Sequence, residues 1–211
     1  RAVSADAIES IYATIRGLER GRLDEVLSLA EGNIGGSYGP VWTEAIIWGL
    51  VEDGRIDDAR AMSGMVVQVP DPPFDFLWFG IVVCAAETRA ALGDVAAARS
   101  LYDTLSPFAS HLSLSGSGGI PFGVTHHALA LLADTLGDHD AARRHIADAV
   151  EVHEALGAVP WIARSLVVQA RLLREVDPEG SAAAAARARA LCDEHELVAV
   201  GRQLDRAGFP A

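Results

Sequence analysis

Leu92-Gly93-Asp94-Val95-Ala96-Ala97-Ala98-Arg99 is the stretch that decides the architecture, because its plan recurs along the chain. An apolar helix end runs into a glycine, a polar or charged residue follows, and an amphipathic segment places a small residue five positions after the glycine. Leu136-Gly137-Asp138 leads in the same way to Ala142-Arg143, and Asp53-Gly54-Arg55 to Ala59-Arg60. Arg20-Gly21-Arg22, leading to Val26, is a weaker copy. Glycine ends a helix well because it adopts the left-handed conformation at no steric cost. An aspartate after it can cap the next helix and suits the positive end of the dipole. The alanine lets the second helix approach the first closely. Successive glycines are 33, 39 and 44 residues apart, the range of stacked helix-turn-helix repeats.

Outward from these turns, apolar residues recur at three- and four-residue steps, as in Ile8, Ile11, Tyr12 and Ile15, or Leu129, Leu132 and Leu136. The predicted pairs are residues 5–19 with 23–31, 41–53 with 56–67, 74–92 with 95–109, 121–136 with 139–156, and 160–175 with 179–195. A remnant, 197–207, caps the end. Breakers fall between helices: Pro70-Asp71-Pro72-Pro73, Asp177-Pro178, and Gly157 with Pro160. Residues 32–40 and 113–121 read as longer glycine- and serine-rich loops; the second is a flexible link or a loop that closes over a ligand. The fold expected is all-α: a helical-hairpin solenoid of the tetratricopeptide type, one domain over residues 1–211.

Composition agrees. Apolar residues make up 50% of the chain but aromatics only 6%, with alanine and leucine dominant, the two strongest helix formers. Strand-forming residues occur, but rarely in alternation. The net charge of −12 repels phosphate backbones and argues against nucleic-acid binding by this segment. Cys84 and Cys192 are too far apart in sequence to suggest a disulfide framework or metal spacing, and read as free, partly buried thiols of a reducing compartment. With no signal peptide and no apolar run of the ~18 residues needed to span a bilayer, a cytoplasmic, non-membrane protein is expected. Residues 74–86, the most apolar window, read as a buried helix. The chain starts at Arg1 without an initiator Met and is soon helical, so a fragment of a larger protein is expected.

No residue pattern calls for catalysis, a metal or a cofactor. His126 and His127 are adjacent, so a helix points them about 100° apart. His145 and His153 share a face but lie about 12 Å apart along the axis, too far for one ion. Asp57-Asp58, Asp138 with Asp140, and Asp193-Glu194 with Glu196 sit at helix ends, where capping and solubility explain them. Gly116-Ser117-Gly118 resembles a nucleophile elbow without its strand, and the glycine clusters lack a phosphate-binding lysine. Tryptophans carry more weight. Trp42, Trp48, Trp78 and Trp161 all fall on the first helix of a predicted hairpin, the helix that lines the concave groove of such stacks. Each is a candidate groove anchor, with core packing as the competing role. Arg164 and Arg171, seven apart near Trp161, can clamp an acidic group or pair with neighbouring acids.

Leu92-Gly93-Asp94 through Leu101-Tyr102, Leu105 and Pro107-Phe108 resembles a segment of the C-terminal helical-repeat regions of large actinobacterial signal-transduction ATPases. Leu131-Leu132-Ala133 to Leu136-Gly137, Gly157-Ala158-Val159-Pro160-Trp161-Ile162-Ala163-Arg164 and Ala170-Arg171-Leu172-Leu173 are similar to further stretches of that group. It includes LuxR-type and antibiotic-regulatory-type transcription factors and cyclase-linked proteins. Val159 stands where the group often has arginine, and His126-His127 where small or aromatic residues are more usual; neither departure alters the fold expected, and His127 is a further groove candidate. Neither a phosphate-binding loop nor an arginine-rich helix-turn-helix occurs. The resemblance implies a non-catalytic sensor and protein-interaction module of a bacterial multidomain regulator, transcriptional in output. Its partner would be a protein or peptide, with a small-molecule effector as a second candidate. The alternatives are a pure assembly scaffold and an accessory domain of a nucleotide cyclase.

Overall fold

The computed structural model describes residues 39–65, 78–115 and 120–210, with isolated positions between 17 and 27. The predicted first helical pair and the loop at 32–40 therefore lie largely outside the described residues. The rest is mostly helical: α1 (Gly39–Asp53), α2 (Ile56–Met65), α3 (Trp78–Ala91), α4 (Val95–Leu105), α5 (Thr125–Thr135), α6 (His139–Leu156), α7 (Val159–Leu173), α8 (Pro178–His195) and α9 (Val198–Arg206). A short 3-10 turn, Ser106–Phe108, follows α4.

The recurring turn works as its residues require. Gly54, Gly93 and Gly137 all have positive φ (82°, 71° and 79°), so each ends its helix in the left-handed region. Asp94 and Asp138 cap α4 and α6, each accepting through Oδ1 from the backbone N–H three residues on, at 3.0 Å. Ala59, Ala98 and Ala142 are fully buried where the two helices of each pair meet. A longer side chain there would push the pair apart at a cost of about 1–3 kcal/mol.

The core is a relay of four clusters rather than one centre. Trp42, Ile46, Ile47 and Ala59 join α1 to α2; Val83, Leu101, Leu105 and Leu129 join α3, α4 and α5. Ala142, Ile146 and Leu172 continue into α6 and α7, and Ile162, Leu166, Ala188 and Leu204 finish with α7, α8 and α9. Helix α3 is buried from Gly80 to Arg89 on every side, because α1, α4, α5 and the first strand surround it.

Two features depart from the sequence expectation. Leu112–Ser115 (β1) and Ile120–Val124 (β2) pair as antiparallel strands, where a loop and the start of a helix are expected; the four positions between them lie outside the described residues. Leu112 pairs with Val124 and Leu114 with Pro121, with an irregularity between them. Pro121 and Gly123 hid β2, since both residues are depleted in strands. They also delay α5 to Thr125: the Val124 N–H is donated to His153 Nε2 at 2.9 Å and Gly123 has φ +72°. Second, α9 packs back on α1. Arg202 Nη1 donates to Asp53 Oδ1 at 3.1 Å, Gln203 Nε2 to Glu52 Oε1 at 2.6 Å and Arg206 Nη2 to the Glu52 carbonyl at 2.5 Å. Basic side chains at a helix C-terminus meet its unsatisfied carbonyls and its negative dipole end. Helix α3 thus packs on both α1 and α5, α9 on both α7 and α1, α5 reaches α7 through the His127–Ser165 and Asp134–Arg171 side-chain contacts, and the hairpin lies against α3, α5 and α6.

Candidate functional site

Where the inner helices face one another the interior is polar. Glu52 of α1 and Arg164 of α7 are both buried and paired at 2.6 Å across 112 positions of sequence. The Arg164 guanidinium lies 5.2 Å from the Trp48 ring centroid and 5.5 Å from that of Trp161, so the two indoles flank it as cation–π partners. Trp48 Nε1 donates to Glu87 Oε2 at 2.9 Å. The other oxygen of Glu87, Oε1, is buried with no hydrogen-bond partner among the described residues. Burial pushes the Glu87 carboxyl up to about 7 and Glu52 adds to this, while Arg164 and the Trp48 hydrogen bond oppose it. Beside this group Arg89 pairs with Glu44 at 2.6 Å, and Thr88 Oγ1 donates to the same carboxylate at 3.3 Å. Burial raises Glu44 despite the arginine.

A second chain of hydrogen bonds ties in the hairpin. His153 Nε2 accepts from the Val124 N–H, so the ring carries its proton on Nδ1 and donates to Ser165 Oγ at 3.1 Å. The Ser165 hydroxyl is then free to donate to His127 Nδ1 at 2.9 Å. Burial holds His127 well below its ordinary range and His153 down at about 4, so both rings are neutral at pH 7. Trp161 donates through Nε1 to the Pro121 carbonyl at 3.2 Å and meets His127 edge-on, with centroids 5.5 Å apart. Phe122 meets Trp48 edge-on at 6.2 Å. Hence β2 spans the space between Trp48 and Trp161, the two indoles that flank Arg164.

Of the groove candidates, Trp48, His127, Trp161 and Arg164 therefore converge on one interior, but all four are buried rather than open to solvent. Trp42 is buried in the α1–α2 core, and Trp78 stacks on Phe79 beside Phe108, apart from the interior group. Arg164 and Arg171 both pair with acids, Arg171 with Asp134 at 2.5 Å on the surface. Sequence reasoning missed Glu52, Glu87, His153 and Ser165. The available signal was polar residues inside otherwise apolar helical segments, Glu87 after Cys84-Ala85-Ala86 above all. Cys84 and Cys192 are free and buried, as their spacing indicated. No helix among the described residues is long and apolar enough to cross a membrane.

Glu87 and His153 give the fold opposed pH responses. Below pH 4.5 Glu87 is neutral whether folded or not; above it the unfolded chain ionises while the folded chain holds its proton to about 7. The resulting penalty grows between pH 4.5 and 7 and reaches about 3 kcal/mol above that window. His153 acts in reverse, since the unfolded chain takes up protons as pH falls from 6.5 and the folded chain resists until about 4. Glu87→Gln keeps an acceptor for Trp48 and removes the first penalty. Urea titrations should show it about 1–3 kcal/mol more stable than the parent at pH 8 and no different at pH 4. Equal effects at both pH values would show that the carboxyl ionises normally in the fold.

Comparison of the chain with protein-family models, with curated proteins and with solved structures finds no match.

Proposed function

We propose that this chain is a tetratricopeptide-type solenoid serving as a non-catalytic sensor and protein-interaction module of a bacterial multidomain regulator, with its receiving face occupied by its own hairpin. The observation that carries this reading is the position of β2 against Trp48 and Trp161 of the inner helices. In stacked helical hairpins the inner helices form the surface that receives partner segments. Here that surface carries Glu52, Glu87, His127 and Arg164, groups that a purely structural interior fills more cheaply with apolar side chains. An extended segment of the same chain lies against the two indoles that flank Arg164, as a bound peptide would.

The hairpin is held by contacts a partner could replace. Ser113 Oγ on β1 is buried with no hydrogen-bond partner among the described residues, a deficit of about 1–3 kcal/mol that lowers the cost of leaving. The seam between α9 and α1 carries three polar contacts, from Arg202, Gln203 and Arg206. A partner that displaces the hairpin favours an open arc over the closed one, and attached domains respond to that change in curvature. A protein segment or peptide is the preferred partner, and a small-molecule effector the second.

Thermal unfolding and tryptophan fluorescence across a library of peptides and metabolites test this. One compound class should raise the melting temperature saturably, and Phe122→Ala, which loosens the hairpin from Trp48, should bind it more tightly. A flat response from both the parent and Phe122→Ala would leave the assembly-scaffold reading in its place.

A further inference from the structure

The turn at Gly137 folds α6 back along α5, and this brings together side chains that spacing on either helix alone keeps apart. His126, in the first turn of α5, places Nδ1 2.9 Å from Nδ1 of His145 on α6. The same nitrogen lies 3.7 Å from Oδ2 of Asp148, and the three donor atoms all fall within 4.8 Å of one another. Among the described residues this is the one group of histidine, cysteine or carboxylate side chains with such convergence.

The distances suit a small tetrahedral ion. With bonds of about 2.0–2.2 Å to nitrogen and oxygen, neighbouring ligand atoms around zinc stand about 3.3 Å apart. The separations of 2.9 and 3.7 Å fall either side of that value. The outward ring nitrogens are supported as well. His145 Nε2 faces the Tyr102 hydroxyl at 3.1 Å, and His126 Nε2 faces Ser110 Oγ at 3.5 Å. If both Nδ1 lone pairs go to a cation, both Nε2 atoms carry the proton, and each then has a hydroxyl oxygen to receive it. Metal-bound histidines are commonly oriented by such a bond. Without a cation one Nδ1 carries the proton between the two rings, and the Nε2 of that ring accepts from its hydroxyl instead. Access is open: the Asp148 side chain is 53% exposed and that of His126 13%.

We propose that His126, His145 and Asp148 form a binding site for a divalent transition-metal ion of the zinc type, with water completing the coordination. Two imidazoles and one carboxylate favour zinc, cobalt or nickel over calcium and magnesium, which take oxygen ligands. The ion joins α5 to α6 directly, and Tyr102 of α4 and Ser110 indirectly. This site does not depend on the interior reading above, because it uses none of the residues around Arg164.

The test is titration of the chelator-stripped chain with zinc by calorimetry, and with cobalt by visible absorption. One ion per chain should bind, cobalt should give the intense visible band of a tetrahedral site, and excess zinc should raise the melting temperature by about 5 °C or more. His126→Ala and His145→Gln should each weaken zinc binding at least about 10–100-fold, and Asp148→Asn about tenfold. His139→Ala, on the same helix but outside the site, should leave binding unchanged. Asp148 is exposed enough for its variant to fold, so the assignment stays testable even where a histidine variant does not. Absence of stoichiometric uptake by the parent chain would overturn it, and so would uptake indifferent to all three ligand substitutions. Failure of either kind leaves the hairpin-displacement experiment standing, since zinc plays no part there.

Discussion

Arg164→Ala is expected to destabilise the fold by about 3–5 kcal/mol, the usual cost of removing one member of a buried ion pair. The loss is large because the guanidinium serves several neighbours at once. Among the described residues Glu52 would be left buried with only Gln203 donating to its side chain, and Trp48 and Trp161 would face a cavity where the cation lay between them. Glu87 would lose the chief cation opposing its burial, and its carboxyl would move further up. Two comparisons isolate the cause. The double variant Glu52→Gln with Arg164→Met should be less destabilised than Arg164→Ala, because it removes both buried charges and refills the space. Glu87→Gln should recover more stability in the Arg164→Ala background than in the parent at pH 7. Urea unfolding of the five chains measures both. A loss under about 1 kcal/mol for Arg164→Ala would mean that the pair is open to water and that α1 and α7 are not joined through it.

Gly123→Ala is expected to be nearly as costly, at about 3–4 kcal/mol, although it adds one methyl group. Gly123 has φ +72°, where a Cβ alone costs about 1–2 kcal/mol. A Cβ at this position would also stand 2.6 Å from Trp161 Cε3 and 3.1 Å from His153 Nε2. Trp161 cannot yield without giving up its hydrogen bond to Pro121 and its place beside Arg164. Overpacking of this kind adds about 1–3 kcal/mol. A double-mutant cycle with Trp161→Leu separates the terms. The steric part should vanish once the indole is gone, and the backbone part should remain. If the loss is the same with and without Trp161, the strand does not rest on the indole and the close approach plays no part in holding the hairpin.

Such couplings explain how much of the molecule is legible in one dimension. The turns at Gly54, Gly93 and Gly137 can be read directly, because a left-handed glycine, a small helix contact and, in the last two, a capping aspartate all act within about five residues. Bounds of α6 and α8 follow for the same reason, from caps and breakers next to them. The pairing of β1 with β2 was not legible. Leu112-Ser113-Leu114-Ser115 does alternate, but Ser113 is the buried member, while Pro121 and Gly123 argue against a strand. What makes β2 a strand is the surface it lies on, namely Trp48, Trp161 and His153.

The interior itself lies at the far end of the same scale. Tryptophans on first helices pointed towards a shared face, and Trp48 and Trp161 do meet there, yet nothing local distinguishes them from Trp42 and Trp78. The Glu52–Arg164 pair, the α9–α1 seam and the His126–His145–Asp148 group depend on how hairpins are set against one another. By itself, then, the sequence determined the repeating unit: helix, left-handed glycine, cap, alanine contact, and an apolar stripe to bury. Only the tertiary structure decided how those units curve, that the last helix returns to the first described one, and which polar side chains meet inside. Curvature is the sum of small rotations between successive hairpins, each set by packing over many side chains, so no single spacing along the chain encodes it.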